Sequence, residues 1–269
     1  MAPDPLGHLC DSESSGFPRV DDRLVRPERR EEIVRGRRVH AAPALAPHAD
    51  HHQILGFVIG GCIAPDYIAA TDLLTRFGPR SDFATDTCIR LEGIDPRTGA
   101  RYLEELAFEV VSEQSRHDIT ERAEDLSARG VRRIIAIFVE REEVCEWSCE
   151  RNDWRVLDPC GVIEDATLAE PIPIRALFDQ AEADQAVIRG LYAKGNPAIL
   201  SIESRAEERG RAEGYAKGRA EGLRAAIEAL CRSLDISLGT GRSKDLQQLD
   251  AQQLESLFER LLRERHWPS

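Results

Sequence analysis

Lysine is nearly absent from this chain: Lys194, Lys217 and Lys244 are the only three in 269 residues, within a Lys+Arg total of 36. Its cations are therefore almost all guanidinium groups, fixed in charge and suited to forked contacts with carboxylate or phosphate. A side-chain amine that can give up its proton is scarce. Methionine occurs once and aromatic residues make up 6%. No apolar stretch reaches the roughly 20 residues of a membrane-spanning helix. The best one, Ile54 to Ala64, holds three glycines and stops at Pro65. The seven cysteines include no Cys-x-x-Cys pair and their count is odd. The opening MAPDPLGHLCDSESSGFP has no apolar signal core, so free thiols in a reducing cytoplasm are expected. Cys145 and Cys149 lack zinc-type spacing and are read as packing residues. A basic excess is missing as well. The net charge of −12 argues against broad nonspecific nucleic-acid binding, although it leaves room for a local basic groove.

What is present supports one sizeable domain with an appendage: 42% of residues are hydrophobic. Residues 1–24, rich in Pro, Ser and Asp, are expected to be a disordered tail. His48 to Ile63 carries Ile54, Leu55, Val58, Ile59 and Cys62 at helical spacing. Tyr67 to Phe77 fits strand or helix and ends at Gly78-Pro79. Phe83–Leu91 and Leu103–Val111 read as strands around the turn-rich Gly93–Gly99. Arg116–Arg129 reads as a helix closed by Gly130. Arg133–Val139 is wholly apolar after its first residue, as in a strand buried on both faces, and Val144–Cys149 with Asp153–Leu157 suit a hairpin. The expected fold is α/β, a mixed central sheet flanked by helices, with a right-handed crossover from 103 to 139. Residues 25–178 form that domain, and 179–269 a helical extension. In the extension RAEERG, RAEGYAKG and RAEGLRAA repeat, and glycine recurs at 210, 214, 218 and 222. Each glycine costs a helix about 1 kcal/mol relative to alanine. The stretch is read as a solvated spacer or as a self-association helix. In the second case residues 202–265 would drive homodimerisation.

Chemistry concentrates in Leu106–Gly130, LAFEVVSEQSRHDITERAEDLSARG. Glu109 is a lone acid in an apolar strand, costly to desolvate unless it is paired or binds a metal. Upstream, Ser81-Asp82-Phe83-Ala84-Thr85-Asp86 opens a second strand with another carboxylate, Asp82. Two acids at neighbouring strand ends are suited to holding Mg²⁺ against a phosphodiester. Plainer readings stand beside each: Glu109 paired with Arg116 or Arg122, Asp82 capping the Pro79–Ser81 turn, Glu32 within a solvated charge run, and Asp118–Arg122 as a helix salt bridge. His48, His51 and His52 read as the polar start of a helix, since His51 and His52 point to different faces.

Taken in order, Glu32-Ile-Val-Arg-Gly36, Pro43 to His52, Ser81-Asp82, Glu109-Val-Val-Ser112, Asp118 to Arg122 and Gly130-Val131 resemble the Uma-type restriction endonucleases of bacteria. These are a branch of the PD-(D/E)xK nuclease superfamily, and the resemblance spans residues 25–178. It implies a restriction-endonuclease-like fold and hydrolysis of DNA phosphodiester bonds. Glu32, Asp82 and Glu109 would surround Mg²⁺ or Mn²⁺, and Asp82, Glu109 and Arg122 would be the catalytic groups. The chain departs from the pattern at Ser81, where the family has proline, and at Val111, the superfamily's lysine position. Arg122 stands where this branch displaces its lysine, and Leu126 where it commonly has tyrosine. Arginine stabilises phosphate charge, but its pKa is too high for a base. A second reading follows, of a weakened nuclease scaffold kept as an interaction protein.

Overall fold

The computed structural model describes residues 16–26, 29–40, 45–112 and 114–268. They form two compact units, up to Asn196 and from Pro197 onward. The first unit is α/β. Its elements are β1 (Glu31–Val34), β2 (Arg37–His40), α1 (Ala46–Cys62), β3 (Tyr67–Gly78), β4 (Ser81–Leu91), the short ribbon β5 (Ile94–Asp95) and β6 (Ala100–Arg101), β7 (Glu104–Val111) and α2 (Arg116–Arg129). Next come β8 (Arg133–Phe138), β9 (Glu143–Ser148), β10 (Asp153–Val156), the ribbon β11 (Val162–Ile163) and β12 (Ile172–Pro173), and α3 (Gln180–Ala193). Eight strands form one mixed sheet in the order β10-β9-β8-β7-β4-β1-β2, with β3 paired to β4 off that path. The only parallel pair in this sheet among the described residues is β7–β8, joined through α2, as the crossover reading anticipates. Tyr67–Gly78, ambiguous in the sequence, is a strand held along its length by β4.

Alternation along β7 divides the core. Leu106, Phe108 and Val110 join the cluster containing Leu55, Val58 and Ile59 of α1. Ala107 and Val111 join the cluster containing Ile119, Ala123 and Leu126 of α2. Burial on both faces explains why this strand is apolar almost throughout. Glu109 shares its parity with Ala107 and Val111, so the period-two geometry of a strand aims it at α2. Ser115 caps α2 by accepting from the Asp118 N–H, and Gly130 ends it in the left-handed region at φ 113°, as expected of a C′ glycine.

Two boundaries differ from the sequence reading. Residues 1–15 of the expected tail lie outside the described residues, but 16–24 are anchored. Val20 and Val25 are buried, the Arg76 N–H donates to the Val20 carbonyl at 3.0 Å, and Arg129 donates to the Pro18 carbonyl at 2.7 Å. Helix α3, assigned from sequence to the extension, packs on α1 and belongs to the first unit. The crossing is tight: a Cβ at Gly190 would lie 2.6 Å from the Gly61 carbonyl oxygen. Gly190→Ala should therefore destabilise the first unit by about 1–3 kcal/mol, as overpacking does, although alanine is the better helix former by about 1 kcal/mol. Urea unfolding gives the sign, and a stabilised variant would mean that the crossing is looser than this.

The second unit comprises α4 (Pro197–Ser233), α5 (Thr240–Gln248) and α6 (Ala251–Glu264). Its core gathers Ile227, Cys231, Leu246, Leu254 and Leu261. Arg224 donates to the Leu246 and Leu249 carbonyls, both at 2.8 Å, satisfying orphan acceptors at the end of α5. Residues 203–219 of α4, which carry most of the repeat, are exposed. This unit holds 12 basic and 12 acidic residues, so the first unit carries the whole net charge of −12.

Candidate active site

The sheet forks at β4. Its upstream end pairs with β1 through Asp82 and Ile33, and its downstream part pairs with β7 from Thr87 to Arg90. Between them lie Ala84 and Asp86, whose backbone runs past the point where one neighbour strand is exchanged for the other. Side chains satisfy the polar groups that the ladder leaves open here, as buried backbone groups require. Glu32 Oε1 accepts from the Ala84 N–H at 2.9 Å. Arg122 donates to the Ala84 carbonyl. Asp86 Oδ2 accepts from the Val110 N–H at 2.6 Å.

This fork gathers Glu32 from β1, Asp86 from β4, Glu109 from β7 and Arg122 from α2. Arg122 Nη1 donates to Glu32 Oε2 at 2.9 Å, and Nη2 stands 3.4 Å from Glu109 Oε2. Its guanidinium lies 4.3 Å from the Phe83 ring centroid, in cation–π contact. Glu109 is 1% exposed, and neither of its carboxylate oxygens has a hydrogen-bond partner. Burial pushes its pKa up to about 8, against the pull of Arg122; the negative charges of Asp86 and Glu32 add to the rise. Burial likewise raises Asp86, opposed by the Val110 N–H and by Arg122. Burial works against the charge on Arg122, but Glu109, Glu32 and Asp86 outweigh it and raise its pKa.

Three of the four residues singled out in the sequence thus meet in one place: Glu32, Glu109 and Arg122. Asp82 has one oxygen committed elsewhere, and its Oδ1 is buried without a partner. The residue is buried, and its Oδ2 accepts from the N–H groups of Leu24 and Val25 at 2.6 and 3.3 Å, tying the N-terminal segment to the sheet. Asp86, which the sequence reading passed over, stands in the cluster. Both acids lie in SDFATD four residues apart, on the same strand parity. Only the pairing with β7 separates their roles. The ion pair of Glu109 with Arg122 is the plainer reading of that acid, and Arg116 instead stands 3.6 Å from Asp153. Asp118 is not bonded to Arg122; it accepts from Ser115 Oγ at 2.6 Å.

Helix α1 borders the fork from the sheet face opposite α2. His52 Nε2 donates to the Asp86 carbonyl at 2.8 Å, and its ring stacks on His48 with centroids 5.8 Å apart. His51 points elsewhere, against Phe178. Asp72 holds a left-handed conformation at φ 51°, which aspartate tolerates. One ligand atom each from His52, Asp72 and Asp86 lies within 4.8 Å of the others. A divalent ion therefore fits the chemistry on two grounds: a cluster of nitrogen and carboxylate donors, and a buried carboxylate beside it without hydrogen bonds.

No protein-family profile and no curated protein matches this chain. Among solved structures it is similar to a crystal structure described as that of a "putative nuclease belonging to DUF820" from Anabaena variabilis ATCC 29413. The identity is 14%, covering 60% of this chain and 94% of that one, with a TM-score of 0.49.

The surroundings are not a ready-made polyanion groove. Arg35 of the β1–β2 hairpin is bound by Glu124 at 2.6 Å and Asp125 at 3.0 Å of α2, and Arg37 by Glu121. Helix α2 thus neutralises the basic hairpin beside it. Among the described residues, no helix is long and apolar enough to cross a membrane.

Proposed function

We propose that this chain is a divalent-metal-dependent nuclease that hydrolyses DNA phosphodiester bonds at the β4 fork. The observation that carries this reading is Glu109, a buried carboxylate without hydrogen bonds, set beside Asp86 and Glu32. Burying an acid whose one counter-charge, Arg122, is shared with Glu32 is costly, and a cation would offset the cost. Bound Mg²⁺ or Mn²⁺ would lower the pKa of a water and offset charge on the phosphate. Asp86 would be a ligand, because it belongs both to the acid–arginine cluster and to the His52–Asp72 group. Glu32 and Glu109 orient Arg122, whose fixed positive charge favours an anionic phosphate nearby. DNA as the substrate comes from the family resemblance. The pairing of two copies, which would cut both strands, comes from the glycine-spaced repeat of the C-terminal helices.

A second reading, a weakened scaffold that binds without cutting, is favoured by the ion pairing of Arg122 and by the −12 charge of the first unit. One assay separates the two readings: cleavage of supercoiled plasmid with Mg²⁺ or Mn²⁺. Cleavage by the wild type, lost in EDTA and reduced at least about 100-fold in Glu109→Ala and Asp86→Ala, is the expected result, since each removes charge stabilisation from the reacting centre. Linear product supports paired copies, whereas nicked circles alone refute them. An inert, well-folded wild type sinks the nuclease reading, and a large gain in Arg122→Lys would mark a nuclease weakened at that position.

A further inference from the structure

We infer that the exchangeable ion is a first-row transition dication of the Mn²⁺ or Zn²⁺ class, held on the α1 side of the fork by His52, Asp72 and Asp86. The inference rests on the metal-dependent reading above and concerns which residues hold the ion and which ion they select. The inner position is already filled by a cation. The guanidinium of Arg122 stands against Glu32 at 2.9 Å and Glu109 at 3.4 Å, donates to the Ala84 carbonyl and lies over Phe83. It cannot deprotonate in a protein. A dication seated among the same oxygens would meet that charge at contact distance, with little water to screen it.

Asp86 is the acid of the cluster that these contacts leave available. Its Oδ2 takes the Val110 N–H, and its side chain reaches a common position with His52 and Asp72 within 4.8 Å. The second observation is Glu109: both of its oxygens are buried without a hydrogen bond, and it feels the charge of Asp86 directly. A cation on Asp86 would therefore relieve the acid behind it as well. Asp72 faces this position from the partner strand, between the paired residues Thr71–Thr87 and Leu73–Thr85. His52 is oriented by the His48 ring stacked against it; its Nε2 stands 3.8 Å from Asp72 Oδ1, and the bond this nitrogen makes to the Asp86 carbonyl would give way to the ion.

The donor set determines the class of ion. Mg²⁺ prefers six oxygens and keeps its waters, whereas imidazole with carboxylates suits Mn²⁺, Co²⁺ and Zn²⁺. The test is Mn²⁺ titration of the full chain, followed by electron paramagnetic resonance and its spin-echo modulation. One Mn²⁺ with imidazole ¹⁴N coupling is expected, retained against a tenfold excess of Mg²⁺. His52→Ala should remove the nitrogen signal, and both His52→Ala and Asp72→Asn should weaken binding by about tenfold or more. The wild-type nitrogen signal keeps the test decisive if a variant fails to fold. Mn²⁺ bound without nitrogen coupling, or displaced by equimolar Mg²⁺, overturns the inference and leaves the nuclease reading standing. A nitrogen signal that survives His52→Ala and vanishes in His48→Ala also overturns it. Absence of Mn²⁺ and Zn²⁺ binding by the folded wild type removes both.

Discussion

Arg122→Ala should cost the first unit about 3–5 kcal/mol at neutral pH, the usual effect of removing one partner from a buried ion pair. Three losses coincide. Glu32 loses the guanidinium at 2.9 Å, Glu109 loses its neighbour at 3.4 Å, and the Ala84 carbonyl loses its donor at the fork. Phe83 also loses the planar group that covers its ring. Arg122→Lys retains the charge but not the fork of donors, so its cost should be intermediate. Arg122→Met combined with Glu32→Gln and Glu109→Gln should recover much of the loss, because neutral groups of similar shape carry no stranded charge. Trp147 and Trp154, edge to face at 5.3 Å, belong to the first unit and report its unfolding in urea. A cost below about 1 kcal/mol would place Arg122 among solvated surface pairs and remove the basis for assigning it the inner cation position.

The sheet and its covering helices were legible because their signals are local. Leu106–Val111 and Ile134–Phe138 are apolar enough to require burial on both faces, and Ser115 and Gly130 bracket α2 with cap chemistry that depends on neighbours a few residues away. Glu109 and Arg122 were legible for the same reason: a single acid in an apolar strand and an arginine on the next helix each stand out from their surroundings. Asp86 was not, because Asp82 and Asp86 differ only in what lies across from them. One meets β1 and the N-terminal segment, and the other meets β7. Strand exchange at a sheet fork is a long-range fact with no local signature. The membership of α3 was hidden in a similar way. Its glycine reads as a weak helix position until Gly61 is known to lie against it. The anchoring of residues 16–24 depends on acceptors and donors in β3, β4 and α2, remote in sequence.

The proposed function draws on an imbalance at the fork. Three acids meet one arginine, so at full ionisation the cluster carries two uncompensated negative charges. Two carboxylates elsewhere in the same unit are matched by arginine. Asp165 is held down to about 2 despite its burial, by hydrogen bonds from Arg132 and the Thr167 N–H and by Arg133, and Glu146 is lowered by Arg133 and Arg155. Those networks stabilise the fold. The fork retains an excess that the protein's own cations leave unmatched, which is the property expected of a site that binds an exchangeable one.

That excess should appear as a pH dependence of stability whose alkaline limb belongs to Glu109. With its folded pKa pushed up to about 8 and an unfolded value near 4.3, the native state binds more protons than the unfolded state between those limits. The slope of stability with pH is therefore negative across that window. The contribution is intact at about pH 4 and is lost as pH rises through 8, a total of about 5 kcal/mol at most for a shift of this size. Asp86, also raised, adds to the slope with the same sign. Asp165 opposes it at the acid end: its lowered pKa gives stability that is present above about 4 and lost as pH falls toward 2. Stability of the first unit should consequently peak on the acid side of neutrality. Glu109→Gln, which cannot ionise, should flatten the alkaline limb, so that the variant is more stable than wild type at pH 8.5 and close to it at pH 5. Urea midpoints at half-unit pH intervals, read from the tryptophan signal in EDTA, measure this directly. A wild type with no decline between pH 5 and 8.5 would mean that Glu109 is ionised throughout, with its charge already compensated. Repeating the series with Mn²⁺ should restore the alkaline limb if the ion supplies the missing compensation, because metal bound to the native state adds stability that grows with its affinity.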